Sequence, residues 1–300
     1  MTSQMISSLP SASAAGTWQL GDLTVNRLGF GAMRLTGTGP FDIGVPRDRG
    51  QSIAVVRRAV ELGVNHVDTA AFYFSALRSA NELINSALSS GADDVVVTTK
   101  VGPGRQADGE WWWAEPAQLR GQVEENLRQL GRDRLDVVNL RIKGKAVEPM
   151  LERFAALAEL REAGLIRHLG LSNVSVEQLA AAREVAPVVC VQNRFGVGAT
   201  VEQRAVLHAC GEAGIAFVPF FAIAGQGREE GPAAAEELAV TEIAAAHEAS
   251  AAQVRLAWTL AQGPHVLAIP GTGNPEHLVQ NVAAGALRLS EAELARLDAI

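Results

Sequence analysis

Tyrosine and lysine are scarce in this 300-residue chain: there is one tyrosine, Tyr73, and only three of the 26 basic residues are lysines, Lys100, Lys143 and Lys145. Cysteine is nearly absent. Cys190 and Cys210, with no CxxC and no His/Cys cluster, argue against a disulfide framework and against a zinc site, so no metal is expected. Both fall in predicted core elements, where a small buried thiol is the expected role. No apolar stretch is long and charge-free enough to span a bilayer. The opening MTSQMISSLPSASAAG lacks a basic n-region and an apolar h-region, so it does not read as a signal peptide. Its small, polar residues predict a disordered tail over 1–16, followed by a single domain over 17–300. Strong charge is missing too. A net charge of −7 disfavours nucleic acid or an anionic membrane as the main partner. These absences leave a soluble cytoplasmic enzyme, 48% apolar and able to bury a substantial core.

What is present is an alternation. Short apolar runs begin at Leu28, His66, Val95, Leu135, Ile166, Val188, Ala216 and Val266, as strands buried on both faces would read. Helical patterns separate them; in the third, Leu119, Val123, Leu127 and Leu130 share one side. Ser175 with Gln178, Ser250 with Gln253 and Ser290 with Glu293 fit capping boxes, and Asn274-Pro275 is a cap with proline at the first helical position. Eight such units predict an α/β fold, a (β/α)8 TIM barrel. The stretch 18–25, turned at Gly21-Asp22, predicts a hairpin plugging the barrel floor. Residues 222–264 are too many for one crossover and predict an extra helix after strand seven, with another at the C-terminus. An open doubly wound sheet is the alternative, but no GxGxxG follows the first strand.

In a barrel the strand C-termini carry the chemistry. Asp68 ends strand two, Tyr73 lies in the loop beyond it, Lys100 ends strand three, and Arg141 follows strand four. Ser172 and Asn173 follow strand five, Gln192 and Asn193 end strand six, and Phe220 and Phe221 end strand seven. Singly, each has an ordinary reading as a cap, a packing aromatic or a solvated strand end. Jointly they make a polar and aromatic ring at one mouth. Asp, Tyr and Lys together suit carbonyl reduction. A buried ammonium favours phenolate, a carboxylate holds the ammonium charged, and the phenol gives its proton to a developing alkoxide while hydride arrives from a cofactor.

The segments LGFGAM, NHVDTAAFY with NEL after it, VVTTK, LGRDRLDVVNL, HLGLSN, VCVQN and IPGTGNPEHLVQN together resemble the aldo-keto reductases, in that family's order, from about Leu23 onward. VVNLR and FVPFF are most similar to its bacterial pyridoxal reductase branch. The resemblance implies a carbonyl reductase, or alcohol dehydrogenase, using NADPH, with NADH as the alternative, on a small-molecule carbonyl substrate, and it leaves a homo-oligomer open. Tyr73 becomes the proton donor, tuned by Lys100 and Asp68. Asn173 and Gln192, with Ser172 nearby, would hold the nicotinamide carboxamide, and Phe220 would stack on the ring. Gly31, Met33, Ala222, Ala224 and Gly225 would line the cofactor's path, the last three within the glycine-rich AIAGQGREEG. Gly271, Thr272, Asn274, His277 and Asn281 would cover the adenosine phosphate end, at the N-terminus of the helix starting at Pro275.

The chain departs from the family's pattern twice. Where relatives carry a histidine after strand four, this chain has Arg141, which donates hydrogen bonds but cannot shuttle a proton. Around 271–277, where NADPH-selective relatives place a lysine or arginine, it has no fixed cation. Trp111, Trp112 and Trp113, in the loop after strand three, overhang the mouth and either wall an aromatic substrate pocket or cover apolar surface; the expected substrate is an aromatic or heteroaromatic carbonyl, pyridoxal-like or a secondary-metabolite ketone. Lys143 and Lys145 read as a solvated loop. Two other functions use the same residues: a Schiff-base lyase on Lys100, which needs a neutral amine, and a non-catalytic cofactor-binding regulatory subunit.

Overall fold

Residues buried on both faces cannot leave backbone groups unpaired, and the apolar runs solve this by pairing with one another. The computed structural model describes residues 9–37, 46–89, 91, 94–223 and 234–300. Thr17–Leu20 (β1) and Leu23–Asn26 (β2) form an antiparallel hairpin turned at Gly21-Asp22. Phe30–Gly31 (β3), the helix Arg49–Glu61 (α1) and His66–Asp68 (β4) follow. Phe74–Ser75 (β5) and Arg78–Ser79 (β6) make a small hairpin ahead of Ala80–Leu88 (α2) and Val96–Val101 (β7). Pro103–Arg105 (β8) and Trp111–Trp113 (β9) make another, before Leu119–Leu130 (α3) and Leu135–Arg141 (β10). The alternation continues through Glu148–Glu162 (α4), Ile166–Ser172 (β11), Val176–Arg183 (α5), Val188–Gln192 (β12), Val201–Glu212 (α6) and Ala216–Phe217 (β13). Ala234–Ala246 (α7), Ala251–Ala261 (α8), Pro275–Ala283 (α9) and Glu291–Asp298 (α10) complete the chain.

Seven strands lie parallel in the order β3, β4, β7, β10, β11, β12, β13. The segment 266–268 closes the ring: Leu267 N donates to Phe217 O and Gly29 N to Ala268 O, at 2.9 and 2.8 Å. Closure makes this a (β/α)8 barrel and excludes the open doubly wound sheet. The runs at 216–221 and 266–270 were expected as full strands, but they pair only in part. Pro219 and Pro270 have no N–H to give to a ladder.

Leu20 and Val25 of the hairpin pack with Val96, Val137, Cys190, Ala216, Val218 and Leu267, so the hairpin plugs the barrel floor as expected. The larger apolar layer lies between strands and helices. In α3, Leu119, Val123 and Leu130 are buried and Leu127 half-buried, as their spacing requires. Ser175, Ser250 and Ser290 each form the expected capping box, as does Thr200 with Gln203. α7 and α8 fill the long stretch after β13, and α10 ends the chain.

The disordered tail predicted over 1–16 needs correction at its C-terminal end. Ser11 caps a 3-10 turn, Ala12–Ala15, that buries both of those alanines. Arg27 holds the turn in place. Its guanidinium donates to Ala15 O and also to Leu260 O, Gly263 O and Val266 O. Residues 1–8 lie outside the described residues.

Candidate active site

Strand register brings the strand-end residues to one rim. Asp68 stands opposite Thr98, Lys100 opposite Asn139, Arg141 opposite Ser172, and Ser172 opposite Gln192. Lys100 is 2% exposed and Asp68 3%. Charges this deep persist only when paired and hydrogen-bonded. Lys100 Nζ donates to Asp68 Oδ1 at 2.6 Å and to Thr69 O at 2.9 Å. Asp68 Oδ2 accepts from Gln192 Nε2 at 2.7 Å. Burial by itself would lower the Lys100 pKa, but the Asp68 carboxylate and then Tyr73 outweigh it, and the ammonium is held above its ordinary range.

Tyr73 sits on the open side of this pair. The Lys100 ammonium is 4.9 Å from the centre of its ring. Backbone bonds from Tyr73 N to Ala70 O and from Ala80 N to Tyr73 O fix the loop, and Phe72 meets the phenol ring edge-on at 5.1 Å. Two other buried titratable groups lie beneath. His66 is pushed down to about 4 by burial, against the pull of Asp68, and so stays neutral at pH 7. Burial, with Asp68 adding to it, pushes the Cys190 thiol up to about 12, which leaves an inert packing residue.

Tyr73 opens into a cavity of about 690 Å³. Asp68, Gln192, Asn173 and Arg141 give it a polar floor and side; Phe72, Trp111, Trp113, Phe220 and Phe221 give it aromatic walls. The tryptophan run is a strand rather than a plain loop. β9 pairs with β8, and Gly104 is required there because a β-carbon would lie 2.1 Å from the Trp112 ring. Arg105 pins the hairpin over the mouth, stacking on Phe74 at 4.0 Å and donating to Phe74 O. Arg141 Nη1 donates to Ser172 Oγ at 3.2 Å, and its guanidinium lies 5.0 Å from the Phe220 ring. Arg141 is therefore at the site, as a cation held against an aromatic face.

Gln192 Oε1 is buried and has no hydrogen-bond partner among the described residues, although its amide nitrogen is engaged. An unmet acceptor beside a cavity invites a donor from a ligand, and the amide of a nicotinamide is such a donor. Asn173 has φ 66°, which asparagine tolerates, and its side chain donates to Ile142 O. Gly31 and Gly271 face each other so closely that a β-carbon on Gly271 would lie 2.5 Å from Gly31 O. The backbone there forms a narrow wall.

The predicted site residues fall into three groups. Gly31, Met33, Asp68, Tyr73, Arg141, Asn173, Gln192, Phe220, Ala222 and Gly271 line the one cavity. Lys100 and Ser172 are buried behind it. Thr272, Asn274, His277 and Asn281 stand outside it: Thr272 Oγ1 accepts from Asn274 N, Asn274 caps α9, His277 is exposed and Asn281 buried. Ala224 and Gly225 lie outside the described residues. Sequence reasoning missed Arg34 and Phe72, which also line the cavity. Their adjacency to GAM and to Tyr73 was the available signal. Lys143, expected in a solvated loop, is exposed but also borders the mouth.

The aldo/keto reductase family model matches residues 27–300. The chain belongs to the aldo/keto reductase family. It is 42% identical over 293 residues to pyridoxine 4-dehydrogenase of Escherichia coli K12, covering 96% of this chain and 99% of that one. Its fold is similar to a thermostable aldo-keto reductase crystallised with the inhibitor epalrestat (TM-score 0.79, 27% identity, 94% and 98% of the two chains). It is also similar to an aldo-keto reductase from Klebsiella pneumoniae in complex with NADPH (TM-score 0.76, 28% identity, 92% and 91%). The chain is thus an oxidoreductase of carbonyl compounds. No described helix is long and apolar enough to cross a membrane.

Proposed function

We propose that this protein reduces an aromatic or heteroaromatic aldehyde or ketone, of pyridoxal-like shape, to its alcohol with NADPH. The observation that carries the reading is the position of Tyr73, with the buried Lys100 and Asp68 pair behind it and an aromatic-walled cavity in front. NADPH supplies the hydride when bound. The unmet Oε1 of Gln192 and the amide of Asn173 would hold its carboxamide, and Phe220, steadied by Arg141, would present a face for its ring. The NADPH-bound Klebsiella relative supports this choice of cofactor.

Tyr73 gives its proton to the carbonyl oxygen as the carbonyl carbon takes up hydride. Lys100 stabilises the phenolate left behind, and Asp68 keeps the lysine charged, which also opposes imine chemistry at Nζ. Arg141 orients the substrate by hydrogen bonds, without moving a proton. The pyridoxine 4-dehydrogenase relative and the cavity's aromatic walls favour a flat, aromatic substrate.

A carbonyl panel with NADPH tests this. Pyridoxal and substituted benzaldehydes should exceed small aliphatic carbonyls such as methylglyoxal in kcat/KM by about tenfold or more, the scale of one to two aromatic contacts. Equal efficiency for aliphatic and aromatic carbonyls would remove the aromatic assignment.

A further inference from the structure

The stretch 271–281, which borders the cofactor's adenosine phosphate end on the reading above, contains no lysine or arginine. The fold brings an arginine to it from the other end of the chain. Arg47, just before the α1 cap Asp48, packs against Gly273. A β-carbon on Gly273 would be 2.3 Å from Arg47 Nε and 2.5 Å from its guanidinium carbon. Gln51, in the first turn of α1, ties the same place down by donating Nε2 to Gly273 O at 3.0 Å.

Arg47 is half-buried, and among the described residues its charge meets no counter-charge. Nε donates to Arg34 O at 3.1 Å and Nη2 to Gly37 O at 3.2 Å, both neutral carbonyls. Among the described residues no carboxylate pairs with it. The adjacent Asp48 spends Oδ1 on the N–H of Gln51, at 2.7 Å. A guanidinium carries five N–H groups, and a charged one pairs most strongly with carboxylate or phosphate. The nine-residue helix α9 begins two residues beyond Gly273, so the positive end of its dipole lies at the same turn, although Pro275 has no N–H and the Glu276 N–H is capped by Asn274 Oδ1 at 2.8 Å. A cation and a helix N-terminus therefore converge on Gly273 from two separate elements, and glycine is the residue that lets the cation approach.

We infer that Arg47 reads the 2′-phosphate of NADPH, supplying from the start of α1 the cation that the turn before α9 lacks, and so sets preference for NADPH over NADH. This rests on the proposed nicotinamide-dependent function. The test uses full-length protein and measures Kd by quenching of tryptophan fluorescence, for NADPH and NADH, with 2′,5′-ADP and 5′-AMP as competitors. Arg47→Gln should raise Kd for NADPH roughly 10- to 100-fold, the range of a charge-assisted bond, and change NADH less than about twofold. Competition by 2′,5′-ADP should weaken with it and that by 5′-AMP should not, and Arg47→Lys should recover part of the loss. Gly273→Ala, which pushes the guanidinium away while keeping its charge, should show the same selective loss and covers the case in which Arg47→Gln folds poorly. Equal losses for both cofactors, or no loss, in the folded variants would overturn the inference. Wild-type protein that binds neither nucleotide would instead overturn the function on which it rests.

Discussion

Replacing Tyr73 by phenylalanine removes one oxygen from the site and should remove most of the rate. General acid catalysis is typically worth 10²–10⁴, and we expect hydride transfer to slow by roughly that factor while the Kd for NADPH stays within about twofold. The contribution of Lys100 can be scaled from the geometry. Its ammonium is 4.9 Å from the Tyr73 ring centre. With an effective dielectric of about 20, unit charges at that separation attract by about 3 kcal/mol, a few hundredfold in rate if fully expressed in the transition state. Lys100→Met should therefore cost a few hundredfold, and the double variant should be slower than the worse single one by no more than about tenfold, since both act through one proton transfer. The assay is single-turnover loss of NADPH absorbance with an aromatic aldehyde, using deuterated cofactor to establish that chemistry limits the rate. Lys100→Met also strands the Asp68 carboxylate with Gln192 alone, a destabilisation of roughly 3–5 kcal/mol, so rates must be read at a temperature where unfolding curves show the variant folded. Tyr73→Phe turnover within about threefold of wild type, with chemistry limiting, would refute the mechanism.

Gln192→Leu removes the unmet acceptor, and Asn173→Ala removes a neighbouring amide. Each should weaken NADPH binding by about 0.5–1.5 kcal/mol in a fluorescence titration, and unchanged affinity in both would place the carboxamide elsewhere. Arg141→His should alter KM and the order of preferred substrates across the carbonyl panel more than it alters the single-turnover rate; the reverse pattern would give Arg141 a part in proton transfer. His66 predicts an acid sensitivity. Its folded pKa is pushed down to about 4 from 6.5, so the unfolded chain takes up the proton first and stability falls as pH drops through that window. Denaturant unfolding at pH 7 and pH 5 should show a loss from this group of about 2 kcal/mol, absent in His66→Gln; an identical pH dependence in the variant would mean that His66 is readily protonated in the folded state.

The strands that carry the site were readable because they are buried on both faces. β4, β7, β10, β11 and β12 stand close to where unbroken apolar runs put them. The weaker strands were not readable in detail, since whether 216–221 and 266–270 pair regularly depends on where Pro219 and Pro270 fall against partner carbonyls. The turn Ala12–Ala15 looked like tail because nothing local orders it; what holds it is Arg27, reaching carbonyls at 15, 260, 263 and 266. The site divides the same way. Asp68, Tyr73 and Lys100 were legible through scarcity and position, in a chain with one tyrosine and three lysines. Arginine is abundant here, so scarcity said nothing of Arg34 or Arg47, and only tertiary approach singles them out. Gly273 shows where the boundary lies. A glycine in the turn before a helix signals that something comes close, but its partner is fixed by the packing of α1 beside α9, which no local pattern encodes. On the proposed reading, the proton donor Tyr73 is backed by Asp68 and Lys100 on strands β4 and β7, which composition and position reveal, while recognition of substrate and cofactor would fall to side chains gathered by the fold: the β8/β9 hairpin over the mouth, Arg141 against Phe220, and Arg47 against Gly273. Variants of the second group should change which molecules are bound, and variants of the first should change how fast they react.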